Sequence, residues 1–346
     1  MIPISVITGF LGSGKTTLLR RLLAHPDMGE TAVLINEFGE VGLDHLLVRK
    51  VDEDIVLLNS GCLCCTVRND LVESLDELWT RRASGEVPAF NRVVIETTGL
   101  ADPAPIIHTL MTDAAITTHY KPAGLVATVD ATHGERQLDE HAEAVKQAAM
   151  ADRLVITKSD LEGTTERDRL RTRLVALNPT GTVFDASLVG GPEPDKLFDT
   201  TALSLDARTG DVQRWLQAEA NASPSENHAH GHNVNRHDDR ITTFCLTASA
   251  PLDWPLFVAW LELLLASRGD QLLRIKGILD VAGRSKPVII HGVQHVFYPP
   301  SELESWPHGE RGSRIVFIAR DLTRSAVERS FARVTDGAGA GAAHQS

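Results

Sequence analysis

The sequence predicts an α/β domain with a mostly parallel sheet flanked by helices, followed by a smaller C-terminal α+β domain. Three observations carry that expectation. Over the first 200 residues, short β-branched runs alternate with helical stretches, the pattern of a parallel sheet covered on both faces. Most of those runs lack a period-two alternation, as fully buried strands do. The chain of 346 residues is also long enough for two domains at about 150 residues each.

Read in order, strands of the first domain are expected at Ile2–Thr8, Thr31–Ile35, Asp54–Leu58, Arg92–Glu96, Gly124–Val129, Arg153–Thr157 and Gly181–Phe184. Helices are expected at Lys15–Ala24, Asp70–Ala83, Leu138–Met150 and Glu166–Leu177, the last stopped by Asn178-Pro179. This domain takes residues 1–220. Residues 221–240 are rich in Asn, Ser, His and Gly and read as a linker. Residues 241–335 form the second domain, with strands at Ile241–Thr247, Leu272–Val281, Pro287–Tyr298 and Arg314–Ala319 and helices at Trp254–Ala266 and Arg324–Val334. The Gly/Ala-rich tail, 336–346, is expected to be disordered.

Composition narrows the function classes. Hydrophobic residues at 42% and charged residues at 23% exclude a wholly disordered or fibrous chain. A net charge of -12 argues against general attraction to nucleic acid or anionic lipid, so a phosphate ligand has to be held locally. The longest apolar stretch, Trp254–Ala266, is broken by Pro255 and Glu262 and falls short of the about 20 residues that span a membrane. The start Met1-Ile2-Pro3-Ile4 carries no basic leader, and the expected location is the cytoplasm. Three of the four cysteines, Cys62, Cys64 and Cys65, lie within four residues, which points to chemistry rather than a disulfide framework.

The run Gly9-Phe10-Leu11-Gly12-Ser13-Gly14-Lys15-Thr16-Thr17 matches a phosphate-binding loop, with an apolar strand before it and a helix after it. Backbone N–H groups of Gly9, Gly12, Ser13 and Gly14 would cradle phosphates, with Lys15 on the β/γ oxygens and Thr16 and Thr17 beside them, Thr16 on Mg²⁺. Glu96 closes an apolar strand three residues before Gly99; it is suited to hold Mg²⁺ or orient the attacking water, while Gly99 lets the backbone approach the γ-phosphate. Thr157-Lys158-Ser159-Asp160 is the expected base-reading element. Asp160 can accept from guanine N1 and N2 while the Lys158 stem covers the base, which argues for GTP, although GTPases usually carry Asn where Thr157 stands.

Gly61-Cys62-Leu63-Cys64-Cys65 supplies soft thiolates, which favour zinc over Mg²⁺. Alternate positions of an extended segment share a side, so two or three thiolates plus an outside ligand is the expected set. The segment Asn36–His45 sits where a nucleotide-sensing switch belongs, and its carboxylates, Glu40 among them, are suited to complete either metal site.

In this order, the glycine loop, Asn36-Glu37-Phe38-Gly39-Glu40, Gly61-Cys62-Leu63-Cys64-Cys65, Glu96-Thr97-Thr98-Gly99-Leu100-Ala101-Asp102-Pro103 and Thr157-Lys158-Ser159-Asp160 resemble the CobW-like family of GTP-dependent metallochaperones. Leu273-Arg274-Ile275-Lys276-Gly277 and Gly292-Val293-Gln294 extend the likeness over about residues 3–335. The resemblance implies a P-loop NTPase domain, slow GTP hydrolysis and delivery of Zn²⁺, or in some members Co²⁺, to a client metalloprotein. It assigns the metal motif to Cys62, Cys64 and Cys65, the Mg²⁺/water role to Glu96 and the guanine role to Asp160. Some members carry an acidic residue just before the switch Asn; here that position is Ile35, so a second carboxylate-rich site is not expected. Monomer and homodimer both stay open.

His228, His230, His232 and His237 lie in the linker, where the first three can share a face and serve as a weak accessory zinc site. Cys245 is expected to be simply packed, and Arg274 and Lys276 to serve either client contact or an ordinary strand face. The competing functions are a cobalt chaperone for cobalamin or nitrile hydratase maturation, a P-loop small-molecule kinase, and a non-catalytic zinc store.

Overall fold

A computed structural model of the chain describes residues 1–35, 45–48, 56–59, 67–186, 193–198, 240–307 and 311–340. Two compact units are present, residues 1–174 with 181–202 and residues 175–180 with 203–346.

The strands of the first unit are β1 (Ile2–Gly9), β2 (Thr31–Ile35), β3 (His45–Val48), β4 (Val56–Asn59), β5 (Arg92–Glu96), β6 (Tyr120–Asp130), β7 (Arg153–Thr157) and β8 (Thr182–Asp185). They form one sheet in the order β4-β3-β2-β5-β1-β6-β7-β8. Every neighbouring pair from β2 to β8 is parallel, whereas β3 and β4 add an antiparallel ribbon at one side. The sheet is therefore mostly parallel, as expected.

Its helices are α1 (Lys15–Leu23), α2 (Val67–Ser84), α3 (Pro103–Thr112), α4 (Ala114–His119), α5 (Gly134–Glu140), α6 (Ala142–Met150), α7 (Thr164–Leu177) and α8 (Pro194–Phe198). On one face Leu18, Leu19 and Leu22 of α1 pack with Ile7, Val33, Val94, Val126 and Val155 of five neighbouring strands, and with Phe198 of α8. At about 1.5–3 kcal/mol per buried aliphatic side chain, this burial stabilises the packing of α1 on the sheet. Helices α3, α4 and α6 pack against β6.

Several elements differ from expectation. The stretch Leu138–Met150 is not one helix: it breaks at His141, whose extended backbone (φ -129, ψ 113) ends α5 and starts α6. His45 is not a loop residue but the first of β3, which pairs antiparallel with β2. Helices α3 and α4 lie outside the expected set; they start from side-chain caps, with Asp102 and Asp113 accepting backbone N–H bonds.

The second unit carries β9 (Ile241–Ala248), α9 (Trp254–Arg268), β10 (Leu272–Leu279), β11 (Val288–Val293), β12 (Val296–Phe297), β13 (Ser301–Glu302), β14 (Ser313–Arg320) and α10 (Arg324–Ala340). The antiparallel sheet runs β12-β11-β10-β14-β9, with β13 on β11. Phe244, Leu246, Ile275 and Phe317 form one apolar face with Phe257 and Trp260 of α9 and Phe331 of α10. The single strand expected over Pro287–Tyr298 is split, because Gln294 turns the chain at φ 50 between β11 and β12. Of the Gly/Ala-rich tail, 336–340 continue α10, since a helix already docked through Val327, Phe331 and Val334 propagates without a new nucleus, and 341–346 lie outside the described residues. No helix among the described residues is long and apolar enough to cross a membrane.

Candidate functional site

Parallel neighbours leave a sheet at the same edge, which is where open α/β sheets bind ligands. Here β1 exits at Gly9 and β5 at Glu96, with Ile7 and Glu96 in register. On the other side, β6 exits at Asp130 and β7 at Thr157, again in register. The glycine loop, the carboxylate and the base-reading element thus meet through strand order alone.

The loop after β1 takes a path open to glycine. Gly9 has φ 144, and a Cβ there would lie 2.3 Å from Thr128 Oγ1 and 2.5 Å from Thr128 O. Gly14, at φ 87, makes the left-handed turn into α1. Between them Ser13 is buried, its Oγ 2.7 Å from Thr128 Oγ1. Lys15 is 9% exposed and folds back on the loop, where Nζ donates to Gly9 O at 2.9 Å and Phe10 O at 3.3 Å. Thr16 and Thr17 are exposed at the start of α1, where N–H groups and the helix dipole favour an anion.

Glu96 is buried at 4% exposure, and Thr16 Oγ1 donates to its Oε1 at 2.5 Å. These are two hard oxygens at the mouth of one cleft, the donor type Mg²⁺ takes. After Glu96, Thr97 N donates to Ile7 O of β1 at 2.9 Å, and the chain then meets the phosphate loop at Gly99. A Cβ on Gly99 would lie 2.7 Å from Leu11 N and 2.6 Å from Leu11 Cδ2. Glycine is therefore required at 99 by close approach to the loop backbone.

Thr157 Oγ1 donates to Ser13 O at 2.7 Å, so the side chain at this position ties the base-reading strand end to the phosphate loop. Lys158 has φ 54, and its Nζ donates to Asp130 Oδ2 at 2.7 Å, which fixes the stem. Asp160 is exposed, and Ser159 Oγ donates to the buried Asp185. A cleft of about 310 Å³ joins these groups, lined among others by Gly12, Gly14, Lys15, Thr16, Glu96, Gly99 and Lys158. That is at the lower end of ligand-site volumes, about 300–1,000 Å³.

The structure adds four side chains that brace the loops of the site: Thr128 on Ser13, Asp130 on Lys158, Gln137 on Leu11, and Gln147 on Gly99 and Ala101. None has a motif spacing; only an end-of-strand position marks Thr128 and Asp130. Glu40, Cys62, Cys64, Cys65, His228, His230, His232 and His237 lie outside the described residues. The backbone that flanks two of these segments is described. Leu34 pairs with Leu46, and Leu46 with Leu58, so Ile35 and Asn59 reach the same edge of the sheet as Glu96. Ile35 lines the cleft. In the second unit Cys245 packs with Ile278, Ile289 and Val316, while Arg274 and Lys276 are buried in β10.

Comparison with known proteins covers nearly the whole chain. The family described as CobW/HypB/UreG, nucleotide-binding domain, matches residues 3–185, and the cobalamin synthesis protein cobW C-terminal domain matches residues 241–335. The zinc chaperone YjiA of Escherichia coli is 32% identical over 96% of this chain and 98% of its own length. Zinc-regulated GTPase metalloprotein activator 1 of Schizosaccharomyces pombe is 28% identical over 93% and 83%. The crystal structure of Zn(II)-bound YjiA GTPase from E. coli superposes with a TM-score of 0.70 at 29% identity, covering 96% of this chain and 98% of that one.

Proposed function

The chain belongs to the CobW/HypB/UreG nucleotide-binding family, and on that footing we propose that it is a cytoplasmic GTP-hydrolysing metallochaperone that carries Zn²⁺ to a client metalloprotein. The observation that carries this reading is the shared sheet edge. Ile35, from which the Asn36–His45 segment departs, and Asn59, which precedes Gly61–Cys65, stand on the edge that holds Lys15 and Glu96. Three strand spacings separate β4 from β5, about 14 Å at about 4.8 Å each. Cys64 and Cys65 lie five and six residues beyond Asn59, a reach of at most about 17 and 20 Å, so a thiolate site in that segment is within reach of the nucleotide.

In this reading Lys15 leaves the Gly9 and Phe10 carbonyls for the β/γ oxygens of GTP. Backbone N–H groups of Gly12 to Thr17 hold the phosphates, and the Gly99 N–H borders the terminal one. Thr16 and Glu96 hold Mg²⁺, which when bound neutralises the charge that develops on the phosphates. Asp160 reads guanine N1 and N2, and Asp130 keeps Lys158 stretched beneath the base. Cys62, Cys64 and Cys65, with Glu40 as the outside ligand, hold zinc as cargo, and the linker histidines are a weak accessory site. GTP tightens the grip on zinc and hydrolysis loosens it; linkage then requires zinc to tighten GTP binding equally.

The test is nucleotide turnover by the full chain. GTP should be hydrolysed slowly with phosphate released to water, and ATP should not. Phosphate appearing on an added metabolite would make the chain a kinase, and no turnover even with zinc and client present would make it a zinc store. Cys64→Ala should abolish tight zinc binding and leave GTP binding in the absence of zinc intact.

A further inference from the structure

We infer that Gln147 is a positioning residue for the Gly99 loop and, through it, for recognition of the nucleotide's terminal phosphate; the inference rests on the GTPase reading above and deepens it. Gln147 sits on α6 at 1% exposure. Its Nε2 donates to Gly99 O at 3.2 Å and to Ala101 O at 3.0 Å. Two carbonyl oxygens facing one carboxamide can be met only by its NH₂ end, so the surroundings fix the orientation of the amide. One residue earlier, Lys146 Nζ donates to Asp102 Oδ2 at 2.5 Å, and Asp102 Oδ1 caps α3 by accepting from Ala104 N at 3.0 Å. Helix α6 therefore grips residues 99, 101 and 102 from one side.

The other side of that loop is the phosphate loop, against which Gly99 rests at Leu11. This second loop is held by the same pair of helices. Gln137 Nε2 of α5 donates to Leu11 O at 3.3 Å, and the His141 ring, at the break between α5 and α6, stacks on Phe10 with centroids 4.4 Å apart. The α5–α6 elbow thus fixes both loops that border the terminal-phosphate position.

Gln147 has the decisive part because position 99 must be glycine, and glycine leaves the peptide that follows free to turn. A Gly99 carbonyl turned into the cleft would set a partial negative charge against the phosphate oxygens. Holding that carbonyl on α6 keeps the loop in the arrangement that offers N–H groups, without adding a charge of its own. Donors fixed in advance recognise charge better than donors that must first reorient. The predicted consequence is selective: Gln147 matters for triphosphate and not for diphosphate.

The experiment measures affinities of the full chain for GDP and for a non-hydrolysable GTP analogue, both with Mg²⁺, in wild type and variants. Gln147→Met, similar in length but without a donor, should weaken analogue binding about tenfold and leave GDP binding within twofold. Gln147→Glu, which turns an acceptor toward the two carbonyls, should lose at least as much. Gln147→Asn keeps the amide one methylene short, and is the milder variant should the others fail to fold; its ratio should fall in the same direction. Equal weakening of both nucleotides, or no change in either, would overturn the role of Gln147 while leaving the GTPase reading in place. Wild-type protein that binds neither nucleotide would overturn both.

Discussion

The Thr16 hydroxyl donates to Glu96 Oε1 at 2.5 Å, joining the first turn of the helix after the phosphate loop to the end of the neighbouring strand. Eighty residues separate them in sequence, and the pair exists because β1 and β5 are parallel neighbours with Ile7 opposite Glu96. In the proposed mechanism this pair is where Mg²⁺ is held. Glu96→Gln keeps the shape of the side chain and removes its charge. It should slow single-turnover GTP hydrolysis about 10²-fold or more and change GDP affinity by less than about threefold.

Lys15 directs its ammonium at two carbonyls of its own loop, contacts that a phosphate can replace. Lys15→Ala should therefore cost about 1.5–3 kcal/mol of GTP binding, the usual range for hydrogen bonds to charged groups. Titration calorimetry with GTP checks the binding loss, and zinc affinity in the absence of nucleotide should be unchanged.

Thr157 donates to Ser13 O in a buried setting. Thr157→Val preserves the shape and leaves that carbonyl without its donor, a change worth about 1–3 kcal/mol. Urea unfolding should show that loss in the first unit, with weaker binding of GDP and GTP alike because the tie holds the loop that both share.

The first unit was legible because its strands are short apolar runs set between loops of strong motif character. Gly9–Thr17, Glu96, Gly99 and Thr157–Asp160 could be named from spacing, and the strand order then brought them together. What spacing could not reveal are side chains that act on backbone carbonyls. Gln137 and Gln147 sit in an ordinary helical stretch, and Asp130 finds its partner, Lys158, only across two adjacent strands. The break at His141 was hidden because residues on both sides of it favour helix. The ribbon β3–β4 was hidden for a different reason: His45–Val48 is four residues long, too short for a period to register, and its pairing is set by β2.

Tyr120 offers a check on how the first unit is braced. Its hydroxyl donates to Leu75 O of α2, the helix that starts two residues after Cys65, and burial holds the phenol well above its ordinary range. The folded chain thus favours the neutral phenol. The stability this contributes is complete below the unfolded value of about 10 and is lost as pH rises beyond it. In a Tyr298→Phe background, where Tyr120 is the remaining tyrosine, phenolate absorbance should appear only together with alkaline unfolding. Ionisation of the folded protein near the ordinary value would contradict the packing described.

The proposed carrier mechanism requires that the terminal phosphate of GTP and a thiolate-bound zinc ion be sensed from one edge of one sheet. The direct measurement is Zn²⁺ affinity by competition with a chelating dye, in the presence of GDP and then of a non-hydrolysable GTP analogue. A coupling of about 1–3 kcal/mol, typical of linked sites, corresponds to zinc binding about 5- to 150-fold tighter with the analogue. Equal zinc affinities in the two nucleotide states would contradict the mechanism.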